Sequence, residues 1–119
     1  MKTYKNQQID LSVFDTAGHE DLCSMRTIAY PGTDCFLICY AVDNRESLRT
    51  ACTKWLNEVR TCAKKVPVIL VGTKSDLKEE AKQREPGLTN ADGATPMKVY
   101  PDDFVTSEEQ LAAAKQYNF

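Results

Sequence analysis

Three stretches run on without interruption: "CFLICYAV" (Cys35–Val42), "DNRESLRTACTKWLNEVRTCAKK" (Asp43–Lys65) and "VPVILVG" (Val66–Gly72). The first is a continuous apolar run whose length and aromatic content suit a strand over 35–42, buried on both faces. In the second, Asp43 or Asn44 can cap a helix. Leu48, Ala51, Cys52, Trp55, Leu56, Val59, Cys62 and Ala63 then recur at helical spacing, while Arg49, Lys54, Glu58 and Arg60 fill the other face. The third is a second buried strand over 66–71, closed by Gly72. A strand, a helix and a strand in that order make a parallel crossover unit.

Upstream, "QIDLSVF" (residues 8–14) alternates, with Ile9, Leu11 and Val13 on one face, which predicts another strand. Before it, "TYKNQQ" reads as the end of a strand and a tight turn around Asn6. Downstream, from Lys78 to Phe104, the chain is charged and rich in Pro, Gly and Asp. That composition predicts a long solvated insertion with a helical turn in "KEEAKQRE". "VTSEEQLAAAKQYNF" follows, with Thr106 and Glu109 as a capping box, alanines suited to a helix, and Asn118 as its stop. The alternation predicts an α/β fold with a largely parallel sheet and flanking helices.

The chain has 119 residues, enough for one small domain with a core. Its 42% hydrophobic and 27% charged residues are ordinary for a globular protein, and the net charge of -2 offers no basic field for nucleic acid or an anionic membrane. No apolar run approaches the roughly 20 residues of a membrane span. The first residues lack the apolar stretch of a signal peptide, and "KQYNF" carries no lipidation box. The expected location is cytoplasmic. The cysteines at 23, 35, 39, 52 and 62 match no zinc spacing and are expected to be reduced and mostly buried.

Ligands of parallel sheets sit at the carboxyl ends of strands. Two loops are predicted there, Asp15-Thr16-Ala17-Gly18 and Thr73-Lys74-Ser75-Asp76. A carboxylate such as Asp15 can hold hydrated Mg²⁺. Gly18 lacks a Cβ, so its N–H can approach a phosphate closely. Asp76 can accept two hydrogen bonds from adjacent donors, which guanine presents on its ring N–H and amino group and adenine does not. The Lys74 stem can lie along a base. Taken singly, each loop also fits a blander reading: a strand end with a glycine turn, or a capped loop with surface charge.

Together, "DTAGHE" and "GTKSDL" resemble the Ras superfamily of small GTPases. "AYPGTD" (Ala29–Asp34), "KWLNEV" (Lys54–Val59) and Thr73 within "VPVILVGTKSDL" are similar to its Rho family, in the Rac-like form. The polar insertion at about 78–105 falls where Rho proteins carry an extra helix, so the whole chain resembles a partial small GTPase domain. The resemblance implies a P-loop NTPase-like fold, GTP/GDP and Mg²⁺ as ligands, and GTP hydrolysis in signal switching tied to the cytoskeleton. By that resemblance Asp15 would hold Mg²⁺ through water, Asp15, Thr16, Ala17 and Gly18 would face the phosphates, and Thr73, Lys74, Asp76 and Leu77 would frame the guanine. Residues 19–33 would be a switch meeting exchange factors, GTPase-activating proteins and effectors.

His19 stands where that family usually has the Gln that orients the attacking water. Imidazole offers the same donor and acceptor count on a shorter, rigid ring. One expectation is a poorly held water, hydrolysis that is slow and little helped by an activating protein, and a favoured GTP state. Another is a loop residue of no consequence in a chain that does no hydrolysis. A general-base role for His19 is the third.

The departures are large. No Gly-x-x-x-x-Gly-Lys-Ser/Thr occurs, and the family's first strand, first switch, last strand, final helix and prenylated tail have no counterpart. Without a phosphate loop little offsets repulsion between Asp15 and phosphates, so tight GTP binding by this chain alone is not expected. Nor are the strands at 8–14 and 35–42 supplied with the partner that would lie between them, and marginal stability follows. Two explanations stand open: an incomplete gene product whose full version is a GTPase, or a non-catalytic decoy that binds regulators or effectors.

Overall fold

The computed structural model describes residues 2–83 and 104–119. It divides into two compact units, Met1–Thr33 and Asp34–Phe119, each taken here by itself.

The first unit opens with strands β1 (Lys2–Tyr4) and β2 (Gln7–Ile9), antiparallel, with Lys2 opposite Ile9 and Tyr4 opposite Gln7. The connection is Lys5-Asn6, both left-handed with φ of 47° and 65°. Two consecutive positive φ values match the right-handed twist of the flanking strands, which is why two-residue hairpins use them. The turn predicted around Asn6 is therefore present. The strand predicted over 8–14 is not: β2 ends at Ile9, and Asp10–His19 are irregular and exposed. Leu11, Val13 and Phe14 are 60%, 76% and 78% exposed. Alternation marks a face that could be buried, but a strand also needs a ladder partner, and β1 offers only three residues.

After His19 come a 3-10 turn, Glu20–Leu22, and a short helix α1, Cys23–Thr27. Tyr30, Pro31, Gly32 and Thr33 make a tight turn closed by Thr33 N–H donating to the Tyr30 carbonyl at 3.2 Å. Gly32, at φ 78°, occupies the left-handed position that follows a proline in such turns.

The second unit holds the crossover. Strand β3 (Phe36–Ala41) pairs in parallel with β4 (Val68–Thr73), Phe36 opposite Val68 through to Ala41 opposite Thr73. Between them runs a helical segment in three pieces: α2 (Arg45–Thr50), a π turn (Ala51–Trp55) and α3 (Leu56–Cys62). Of the two caps the sequence offers, Asn44 is the one used, its side chain accepting from Ser47 N–H at 3.0 Å. Ser47 then ties the helix start to the end of β3, its Oγ accepting from Ala41 N–H at 3.0 Å. Thr50 and Thr53 donate back to the carbonyls of Glu46 and Arg49. Such back-bonds loosen the helical ladder, and these two fall just before the π turn and within it.

The core is what the periodicity predicts in part. Ala51, Cys52, Leu56 and Val59 are buried, as are Ile38, Tyr40 and Val42 from β3 and its end and Val68 and Leu70 from β4. A side chain of Val or Leu size contributes about 1.5–3 kcal/mol when fully buried. The other face of the pair is open, with Leu37 at 60% and Ile69 at 51% exposure. The prediction of strands buried on both faces is corrected on this point: the helices pack on one side, and among the described residues none covers the other. Cysteines follow suit. Cys52 alone is buried, while Cys23, Cys35, Cys39 and Cys62 are exposed.

Helix α4 (Ser75–Gln83) begins immediately after β4. Asp76 and Leu77, expected in a loop, lie in its first turn, and the helical turn predicted in "KEEAKQRE" is helix as far as Gln83. The rest of the predicted insertion up to 103 lies outside the described residues. Helix α5 (Ser107–Tyr117) has both bonds of its capping box, Thr106 Oγ1 accepting from Glu109 N–H at 3.1 Å and Thr106 N–H donating to Glu109 Oε2 at 2.7 Å. Asn118 stops it in the left-handed conformation, as predicted. Arg45 reaches across from α2 to Glu109 at 3.2 Å, and Arg60 from α3 to the Asn118 carbonyl at 3.1 Å. The two helical stretches therefore run side by side in the same direction. Val105, fully buried, donates its N–H to the Val42 carbonyl at 2.8 Å.

Candidate functional site

The base-reading loop is built by the end of β4. Gly72 pairs with Tyr40, and a Cβ there would sit 3.0 Å from Tyr40 Oη and from Val42 Cγ1. Glycine thus lets the buried Tyr40 ring lie across the strand just before the loop. Burial, with the neighbouring Cys52 and Glu109, holds the Tyr40 phenol above its usual 10.0.

Thr73 closes the sheet. Its Oγ1 donates to the Tyr40 carbonyl at 2.9 Å, and its own carbonyl accepts from Val42 N–H at 3.0 Å. Its hydroxyl is spent on the sheet rather than offered to a ligand. Lys74 is left-handed at φ 61°, a conformation that costs a non-glycine residue energy and clusters at functional sites. The kink turns the chain from β4 directly into α4, with Leu77 N–H donating to the Lys74 carbonyl at 3.1 Å. Asp76 follows in the first helical turn with its side chain exposed. Sequence reasoning found these residues but not the backbone of Lys74, for which no residue signal exists.

Asp15, Thr16, Ala17, Gly18 and His19 lie in the other unit, on irregular, exposed chain. The expectation that "DTAG" directly ends a strand is corrected, since β2 stops at Ile9. A Cβ at Gly18 would meet nothing within 4 Å. No neighbour demands a glycine there, and the space beside its backbone is open to a ligand. His19 is extended, φ -74° and ψ 139°, and its Nδ1 lies 3.4 Å from Asp21 Oδ2 with both side chains exposed.

What sequence reasoning missed here is Arg26. It is buried, and its Nη1 donates to the Ala17 carbonyl at 2.8 Å and to the His19 carbonyl at 2.9 Å. No residue signal points to it, since both of its partners are backbone carbonyls.

For a nucleotide, the donor set is partial. Asp76 offers an open carboxylate to paired N–H groups, and Lys74, two residues earlier, an exposed stem. For Mg²⁺, no group of three or more His, Cys, Asp or Glu is found among the described residues. Asp15 could supply one hard oxygen, directly or through water, the remainder coming from water and phosphate as this metal commonly accepts.

A model of the Ras family matches residues 1–119. The Ras-like GTP-binding protein RhoL of Drosophila melanogaster is 44% identical over 73 residues, covering 61% of this chain and 38% of that protein. The chain thus spans well under half the length of this curated relative.

Proposed function

Since the chain belongs to the Ras family of small GTPases, we propose that it serves a guanine-nucleotide signalling switch of the Rho type. Proteins of the family bind GTP and GDP with Mg²⁺ and meet regulators and effectors. The Rho assignment is supported by "AYPGTD", "KWLNEV" and Thr73, and by the likeness to a Ras-like GTP-binding protein. A Rho-type insertion at about 78–105, cytoplasmic action and a link to the cytoskeleton belong to the same proposal.

The observation that carries it is the end of β4. A parallel strand delivers Thr73, a left-handed Lys74 kink and the exposed Asp76 in the first turn of α4. That geometry presents a carboxylate to a flat ligand bearing two adjacent donors. Once a bound base covers it, such a carboxylate left unpaired would be costly, so the site would favour guanine over adenine. Asp15 would hold Mg²⁺ and Gly18 N–H would meet the terminal phosphate. Residues 19–33 would relay its presence to exchange factors, activating proteins and effectors. Bound Mg²⁺ would neutralise phosphate charge there.

Fluorescent GTP and GDP titrated into the chain with Mg²⁺, against an ATP competitor, test the reading. Guanine-selective binding lost in Asp76→Ala supports it. Binding displaced equally by ATP refutes it. No binding by a folded chain favours the second reading, a non-catalytic module, for which the exposed Met25 of α1 and Ile28 at its end are the favouring observation.

A further inference from the structure

The loop that carries Gly18 has no ladder hydrogen bonds and nothing packed beside Gly18, yet a buried cation reaches it. Arg26 is 5% exposed. A guanidinium taken out of water is tolerated only where its donors are met. Both hydrogens of Nη1 are met by backbone carbonyls, Ala17 at 2.8 Å and His19 at 2.9 Å. These two acceptors flank Gly18. Charge-assisted bonds of this kind are the strong ones. The His19 carbonyl also accepts from Leu22 N–H at 3.2 Å, so the loop, the 3-10 turn and α1 meet at one node.

We propose that Arg26 is a positioning residue that locks the Ala17-Gly18-His19 backbone to helix α1, so that loop and helix move as one piece. Its cation is held by the loop's carbonyls, which turns the intervening peptide groups into a fixed feature of α1. A change at Gly18 is then passed to Met25 and Ile28 without any strand between them. The functional half of this inference rests on reading Gly18 as the phosphate-sensing residue. The mechanical half does not.

The test is ¹⁵N relaxation of the full chain, with and without Arg26→Met, which keeps the apolar stem and removes the donors. The wild-type amides of Ala17, Gly18 and His19 are expected near the rigid value of about 0.85 despite their irregular conformation, falling below about 0.6 in the variant. The β3–β4 amides should stay unchanged and report that the fold persists. Unchanged order in the variant, or wild-type values already below about 0.6, overturns the proposal. A mere space-filling role would leave Arg26→Met rigid. If that variant does not fold, Arg26→Lys decides: its stem is one atom shorter and stops Nζ short of the point where Nη1 meets both carbonyls, so order at 17–19 drops part way if the clamp exists and not at all if it does not. In a parallel titration, Arg26→Met should shrink any preference for GTP over GDP toward unity. A wild-type chain with no such preference sinks the phosphate-sensing reading, while the relaxation data still judge the clamp.

Discussion

Replacing Gly72 by alanine puts one methyl group into a tight place in the sheet. Its Cβ would lie 3.0 Å from Tyr40 Oη, 3.0 Å from Val42 Cγ1 and 3.2 Å from Tyr40 Cζ. Tyr40 and Val42 are 3% and 5% exposed, so neither can swing into solvent. Val42 is β-branched and stiff, and Tyr40 pairs with residue 72 through its own backbone. Overpacking of this kind costs about 1–3 kcal/mol. The alanine recovers about 0.4–1 kcal/mol by restricting the unfolded chain. The net expectation is a loss of about 1–2 kcal/mol, read as a lower urea midpoint with an unchanged slope. Tyr40→Phe removes one of the three close atoms, so the double variant should recover roughly 0.5 kcal/mol or more relative to additivity. A Gly72→Ala chain as stable as the parent, or strict additivity with Tyr40→Phe, would show that the ring does not press on this strand.

Further outcomes are expected elsewhere in the chain. Thr106→Ala removes the acceptor for Glu109 N–H and should cost about 1 kcal/mol, visible as early fraying of α5 in amide exchange. Asp76→Asn replaces two acceptors by one acceptor and one donor, which suits xanthine better than guanine. Guanine nucleotide affinity should fall roughly tenfold or more, since a hydrogen bond to a charged group is worth about 1.5–3 kcal/mol, and xanthine nucleotides should gain in competition. The Glu109 carboxyl is held below its usual 4.5, first by the Thr106 N–H and then by Arg45, so its small stabilising contribution is present above that pH and disappears as the pH falls. Tyr40 shows the opposite sign: its contribution is intact below pH 10.0 and is lost as the pH rises through the elevated value, which tyrosinate absorbance would show as one late-titrating phenol. His19→Gln should speed single-turnover GTP hydrolysis in any preparation that binds GTP, and an unchanged rate would remove His19 from the path of the attacking water.

The crossover was legible because two signals agree along it. Apolar runs bounded by Asp43 and Gly72 fix the strands, and a helical period between them fixes the helix. The capping box at Thr106 and the stop at Asn118 were legible for the same reason, each being a local hydrogen-bond pattern with its own residue chemistry. Leu11, Val13 and Phe14 misled because alternation describes a face, while a strand is made by a neighbour. Cys39 and Leu37 misled because a continuous apolar run cannot say whether both faces are covered. Asp76 was recognised by its neighbours in "GTKSDL", but its place in a helix depends on the left-handed turn at Lys74, a residue with no preference for it. Arg26 was invisible because its partners are carbonyls, which every residue has.

The two arginines that reach α5 have a bearing on how this chain can vary. Arg45 holds one end at Glu109 and Arg60 the other at Asn118, while Val105 is stitched to Val42. All of these anchors lie on the crossover unit or on the helix itself. The two ends of α5 are thus held by different side chains of one crossover segment, so substituting Arg45 or Arg60 releases one end while the other stays attached, and the helix can be loosened from either end separately.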